Sequence, residues 1–589
     1  MLHGGASEPL QPRARRSHLS PQPRALDSTQ YCDGPPAGIL QWKVDERAQR
    51  LAPYKSWAVD GCGAGDDISQ LVLSTKNGVL TAEERDLVQL DATELVKRLS
   101  TGQYTAVQVL TAFLKVAFRL QQFTNCLTEV FFGEGLDRAK ELDAHFAKYG
   151  KVVGPLHGLP VSIKDHILLK GHDTSAGYVA WAGKKIADKD AVAVHILREA
   201  GAVFYAKTAN PQTLLALETE NNIYGTTRNP FNLKLSPGGS SGGESALISG
   251  HGSPLGIGTD IGGSVRIPAA FCGLYGLKPS VARLPHAGLV GSHDGMEAII
   301  GAVGPIAKSA RDLNLFCKVM LDAEPWFLEA PLLRMPWRED VVRGVGMPEK
   351  LCFAILWDDG VVHPHPPITA ALKRTKQALE AAGHEVIDWE PVDDQFAWNL
   401  IHKLYFLDGG KEYRETFAEG GEKPIPAARW IMDQIERPHE PYTPGECFEL
   451  NAQREAFRLK IIQHWNATKG PKTGRRVDGI LAPTHPTLAT PHRTIRWWGY
   501  TSYWNLVDYP GAIIPMGKFD PEAYVETDPM PAPRNETEKF ISSQWSPPTY
   551  SGAPVAVQLV GRRHHEEEVL AMLNKVEDAL ENYKKSHPM

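Results

Sequence analysis

The sequence predicts an α/β protein with a mostly parallel or mixed sheet, and three observations predict it. From Asp190 the chain reads as a helix over residues 191–200, a stop at Gly201 and an apolar strand over residues 202–207. The unit recurs as a helix over residues 368–382, a stop at Gly383 and a strand over residues 384–389. Residues 479–482 and 554–560 read as further buried strands.

Upstream, Asp91 with Glu94 resembles a capping box ahead of Leu95, Val96 and Leu99, and Gly102 closes that helix. A second helix begins near Thr105 with Leu110, Leu114 and Ala117 on one face. Both are expected to flank a core.

At 589 residues the chain exceeds one average domain. No tandem repeat divides it, and the prolines clustered between Lys518 and Ser551 read as a surface insertion rather than a boundary. Residues 41–589 are therefore expected to form a single catalytic domain. Residues 1–40 read as a disordered arm: Arg13, Arg15, Arg16 and Arg24 suggest a mitochondrial presequence, but Pro9, Pro12, Pro21 and Pro23 spoil its amphipathic helix.

With 42% hydrophobic and 22% charged residues the chain can bury a large core. Its net charge of −6 and the lack of a basic, aromatic-laced block point away from nucleic acid and toward a small-molecule substrate. The least charged stretch, residues 246–277, contains Asp260 and Arg266 and is not a membrane span. Seven scattered cysteines without a C-x-x-C pair read as reduced thiols, which places the expected compartment in the cytoplasm. The sequons at Asn466 and Asn535 are taken as chance, because no signal h-region is present. No metal site is expected: His363 and His365 sit among prolines, and His564 and His565 precede what reads as an exposed helix start.

The chemistry is concentrated in Ser236-Pro-Gly-Gly-Ser-Ser-Gly-Gly-Glu244 and Gly256-Ile-Gly-Thr-Asp-Ile-Gly-Gly-Ser-Val-Arg-Ile-Pro268. Glycines are kept where backbone takes positive φ or approaches a ligand, and serines among them have accessible hydroxyls near free N–H groups. A Gly/Ser linker does not fit, since apolar segments border both halves. A phosphate loop does not fit either, because Glu244 stands where lysine is needed. Gly239-Ser-Ser241-Gly-Gly243 formally matches a nucleophile elbow, but the run before it is polar and proline-bounded rather than a core strand.

Together with His157-Gly-Leu-Pro-Val-Ser-Ile-Lys-Asp165, these two segments resemble the amidase signature family. The resemblance implies an open twisted mixed β-sheet enclosed by helices, and a triad of Lys164 as base, Ser240 as a relay held by a cis peptide, and Ser264 as nucleophile. It also implies supporting roles for Ser241, Thr259, Asp260 and Arg266. Similarity to the fungal acetamidase and general amidase branch extends over roughly residues 40 to 585, in Trp42-Lys-Val-Asp-Glu-Arg47, Glu324-Pro-Trp-Phe-Leu328, Met335-Pro-Trp-Arg338 and Gly552-Ala-Pro-Val-Ala-Val-Gln558.

The chemistry sets its own conditions on these residues. A lysine near pKa 10.4 cannot accept a proton at neutral pH, so Lys164 must be made neutral; moving it to about 7 costs roughly 4–5 kcal/mol, which burial behind the apolar residues 160–163 can supply. A hydroxyl relay can then deprotonate the nucleophile and later protonate the leaving nitrogen. The amides of Ile261, Gly262, Gly263 and Ser264 are expected to hold the oxyanion. Two aromatic clusters, Trp398, Tyr405 and Phe406, and Trp497, Trp498, Tyr500, Tyr503 and Trp504, are candidates for an acyl pocket, with core packing the commoner fate.

The expected activity is hydrolysis of a small aliphatic or aromatic carboxamide to acid and ammonia through an acyl-enzyme, without cofactor. A specialised amide or lactam of secondary metabolism or detoxification, an amidotransferase subunit and a silent binding module are the alternatives, and a homodimer is left open.

Overall fold

The computed structural model describes residues 37–61, 63, 66–76, 78–525 and 530–587. Its strands are β1 (Leu127–Val130), β2 (Pro160–Lys164), β3 (Val203–Thr208), β4 (Glu220–Asn221), β5 (Gly225–Thr226), β6 (Leu255–Asp260), β7 (Tyr275–Lys278), β8 (Ala302–Ala307), β9 (Cys352–Ile355), β10 (Glu385–Asp388), β11 (Gly479–Pro483), β12 (Gly511–Lys518) and β13 (Pro554–Val560). Eleven of them form one sheet in the order β1-β3-β2-β6-β8-β7-β12-β13-β11-β9-β10, and β4 and β5 pair separately. The sheet is mixed. β3, β2 and β6 run parallel, β9 pairs in parallel with both β10 and β11, and antiparallel pairs join these two groups.

The expected helix-stop-strand units are present. The first is a helix over Val192–Glu199, Gly201 at φ 94° and β3; the second is a helix over Pro366–Ala381, Gly383 at φ 84° and β10. Glycine takes these positive φ values without the Cβ clash other residues meet. β2, β3 and β6 are buried along their whole lengths, as strands covered on both faces must be.

Helices cover the sheet. Ala106–Thr124 opens with a reciprocal box between Thr105 and Gln108, ends at left-handed Asn125, and buries Leu110, Leu114 and Ala117. The helix before it, Ala92–Ser100, has half of the expected box: Asp91 accepts from the Glu94 N–H, while the Glu94 carboxylate turns to Arg98 at 2.8 Å. No described helix is long and apolar enough to cross a membrane.

Two expectations are corrected. The helix Glu566–Ser586 does not start exposed: Glu566 and Glu567 are buried and pair with buried Arg283, at 3.3 and 2.6 Å. A charged triplet therefore reads as surface in sequence yet anchors the helix, because its partner lies far away in the chain. The segment 518–551 is not all surface either, since it contains the helix Glu536–Ser543 and buries Ile541 and Tyr550. Of the arm assigned to residues 1–40, residues 1–36 lie outside the described residues, and a helix begins at Ala37.

Candidate active site

The parallel pairing of β2 with β6 sets Ile163 opposite Ile257, so the C-terminal ends of both strands, with Lys164 and Thr259-Asp260, lie side by side. That end of a parallel pair is where α/β sheets gather their reactive groups. Lys164 is fully buried and its Nζ donates to Ser240 Oγ at 2.7 Å and to Thr259 Oγ1 at 2.8 Å. Burial lowers its pKa to about 7, against the opposing pull of Asp260 and Glu244.

Ser240 follows a cis peptide bond from Gly239 and sits just ahead of the helix Gly242–Ser249. Ser241 ties this segment to the next: its N–H donates to the Ser264 carbonyl at 3.2 Å and its hydroxyl oxygen accepts from the Thr259 N–H at 3.4 Å. Glu244, on the same helix, accepts from Ser162 and, at 2.9 Å, from Thr208. Burial raises its pKa to about 8, so it is held mainly as the neutral acid at pH 7.

Asp260 organises the third segment. Its carboxylate accepts from the Gly263 N–H at 2.8 Å, the Val265 N–H at 3.1 Å and Asn505 Nδ2 at 3.0 Å, and it pairs with Arg266. Desolvation of the fully buried carboxyl, the largest single effect, is outweighed only by the sum of the Arg266 charge and hydrogen bond, the Lys278 charge and the Asn505 amide, which together hold it well below the usual carboxylate range. Tyr405 OH donates to the Ile261 carbonyl at 2.6 Å and Thr501 Oγ1 to that of Gly262 at 2.7 Å. These two carbonyls of the turn are thus tied down by side chains from outside it.

Gly263 has φ 136°, and a Cβ there would lie 2.9 Å from Thr501 Cβ, so glycine is required. Ser240, Thr259, Ile261 and Ser264 open together onto a cavity of about 450 Å³, whose far walls come from residues 280–302 and 329–332.

A family model, Amidase, matches residues 108–570. An acetamidase of Emericella nidulans is 39% identical, covering 92% of this chain and 98% of its own. An acetamidase of Aspergillus oryzae is 39% identical, covering 89% of this chain and 94% of its own. Among solved structures, a fatty acid amide hydrolase has a TM-score of 0.86 at 35% identity, covering 94% of this chain and 98% of its own.

The chain belongs to the amidase family.

It is therefore an enzyme that hydrolyses carbon–nitrogen amide bonds, and its sheet is the amidase-signature fold. The amidase brings Lys164, Ser240, Ser241, Thr259, Asp260, Ser264 and Arg266 into one buried cluster. Of the four amides expected to face an oxyanion, that of Gly263 is turned to Asp260. No hydrogen bond joins Ser240 Oγ to Ser264 Oγ among the described residues. Of the aromatics singled out in sequence, Tyr405 lines the cavity and the other seven pack in the core.

Sequence reasoning missed Glu244's partners Ser162 and Thr208, and also His166, Thr501, Asn505 and Gln558. Arg266 Nη1 donates to the Thr501 carbonyl at 3.0 Å and to Gln558 at 3.4 Å, bridges of more than 200 positions that no local pattern announces. His166 stands two positions after Lys164, and that adjacency was the one available signal.

Proposed function

We propose that the enzyme cleaves a simple carboxamide through an acyl-enzyme on Ser264, with Ser240 as proton relay and Lys164 as general base. The observation that carries this reading is the buried 2.7 Å link between Lys164 Nζ and Ser240 Oγ, with Ser240 lining the same cavity as Ser264. Near pKa 7 a useful fraction of Lys164 is the free amine at neutral pH. Its lone pair takes the Ser240 proton while Ser240 Oγ takes that of Ser264, whose oxygen bonds to the amide carbon. The amides of Ile261, Gly262 and Ser264 receive the resulting oxyanion, each such donor being worth about 3–4 kcal/mol. As the C–N bond breaks, the same relay returns a proton to the nitrogen, and ammonia or an amine leaves. Water then attacks the ester by the same proton route and releases the acid.

The acyl side is read from the cavity. Its volume of about 450 Å³ and walls from Leu214, Leu284, Leu289, Val290 and Ile299 suit an apolar acyl group larger than acetyl, aliphatic or aromatic. Each buried CH₂ contributes about 0.8 kcal/mol, or about fourfold in kcat/KM.

The test is ammonia release by the purified chain from acetamide, butanamide, hexanamide and benzamide. The expected result is hydrolysis without ATP or partner, with kcat/KM rising at least tenfold from acetamide to hexanamide or benzamide. Release that requires ATP and a second protein overturns the reading in favour of an amidotransferase subunit, and a preference for acetamide overturns the acyl assignment.

A further inference from the structure

Thr259 Oγ1 stands between two nitrogens, Lys164 Nζ at 2.8 Å and His166 Nε2 at 2.8 Å. The other ring nitrogen, His166 Nδ1, lies 2.9 Å from the Val290 carbonyl oxygen. A carbonyl only accepts, so Nδ1 carries a proton. The ring is buried, and desolvation first, then the charge of Lys164, with His286 and Lys207 adding to it, depresses its pKa well below 6.5. His166 is therefore a neutral imidazole with its lone pair on Nε2.

The rest follows from counting protons. Thr259 has one hydroxyl proton, and the Nε2 lone pair takes it in a hydrogen bond. Toward Lys164, Thr259 can then only accept. A neutral lysine has two N–H groups and one lone pair; with one N–H committed to Thr259, the lone pair is free for Ser240, 2.7 Å away.

We propose that His166 is a positioning residue, which fixes the Thr259 hydroxyl as an acceptor and thereby directs the Lys164 lone pair onto the Ser240 hydroxyl. Without an acceptor at Nε2, the Thr259 proton turns to the Lys164 lone pair, competes with Ser240 for it and stabilises the neutral amine. The base is then both misdirected and weaker. The other titratable groups facing Lys164 are Asp260, from the end of β6, and Glu244, from the helix Gly242–Ser249; each favours the protonated lysine when ionised, as Asp260 is at pH 7 and Glu244 becomes only above about 8. The inference rests on the Lys164–Ser240–Ser264 reading above.

The test compares pH profiles of kcat and kcat/KM for the full chain and for His166→Phe, His166→Gln, Thr259→Val and the Phe/Val double variant. His166→Phe is expected to lower kcat roughly 10- to 100-fold, the scale of a displaced catalytic group. Its acid limb is expected to move to lower pH by about half a unit or more. His166→Gln, whose amide oxygen can occupy the Nε2 position as an acceptor, is expected to restore most of kcat and the original limb. The double variant is expected to match Thr259→Val, because His166 acts through that hydroxyl. His166→Asn, polar but too short to reach Thr259, repeats the Phe comparison if the larger ring impairs folding.

An unmoved acid limb in both His166→Phe and His166→Asn overturns the inference, as does additivity in the double variant or a Gln variant that behaves like Phe. Lys164→Ala is measured alongside. Loss of turnover there, with the limb unmoved by His166→Phe, removes the role of His166 and spares the triad; normal turnover in Lys164→Ala removes the triad and the inference together.

Discussion

Arg266 and Asp260 meet in a two-bond fork with both side chains fully buried, Nε to Oδ2 at 3.0 Å and Nη2 to Oδ1 at 3.0 Å. Asp260 ends β6 and Arg266 begins the helix Arg266–Phe271, so the fork closes the turn that holds Ser264. Removing one partner of a buried pair leaves the other charge uncompensated, at a cost of about 3–5 kcal/mol. Arg266→Leu is expected to lose that much in urea denaturation at pH 7 and to lose turnover. The sign with pH is fixed by the depressed Asp260 value. Its contribution is complete above its unfolded pKa of 3.8 and drains as pH falls through the folded value, so Arg266→Leu is also expected to show a weaker stability loss on acidification than the parent chain. A loss under about 1 kcal/mol at pH 7 would contradict the fork's role.

As the proposed general base Lys164 acts unprotonated, so kcat/KM is expected to rise as pH increases through about 7 and to level off above it. Lys164→Ala should lower kcat by roughly 10²- to 10⁴-fold. Stability has its own sign: the folded value of about 7 lies under the unfolded 10.5, so the lysine's contribution is present above pH 10.5 and is lost as pH falls toward 7. Lys164→Met lacks that loss. Thermal melts should therefore show the Met variant gaining on the parent as pH is lowered from 10.5 to 7, and a constant difference across that window would contradict the depressed pKa.

Ser264 and Ser241 are separable by labelling. A fluorophosphonate is expected to modify Ser264, and Ser264→Ala to abolish the adduct. Ser241 spends its N–H on the Ser264 carbonyl and its hydroxyl on the Thr259 backbone, so Ser241→Ala should weaken turnover without eliminating it. Mass-spectrometric mapping of the adduct to Ser241 would restore the nucleophile-elbow reading.

Gly263→Ala tests the turn itself. At φ 136° an alanine is strained, and its Cβ runs into Thr501, which holds the Gly262 carbonyl. The expected result is a loss of about 10²-fold in kcat with the acid limb near pH 7 unchanged, since the amides proposed to hold the oxyanion move while Lys164 stays in place. A shifted limb would mean that the damage spreads to β2.

The sequence by itself determined the helix-stop-strand units, because each is fixed within about twenty residues by apolar runs and by glycines such as Gly201 and Gly383 that end a helix in place. It also marked the candidate triad, since Lys164, Ser240 and Ser264 stand in three local motifs whose resemblance to the amidase signature family implies those roles. The tertiary structure decided what surrounds them. The order of eleven strands, the burial that moves Lys164 to about 7, and the bonds from Tyr405, Thr501, Asn505 and Gln558 to the segment around Ser264 all depend on residues distant in the chain. The same holds for Glu566 and Glu567, which look solvated until Arg283 is placed beside them. A local pattern records which groups are adjacent along the backbone. Desolvation and charge pairing are set by which groups are adjacent in space, and around this site many of those come from segments 76 to 292 positions apart.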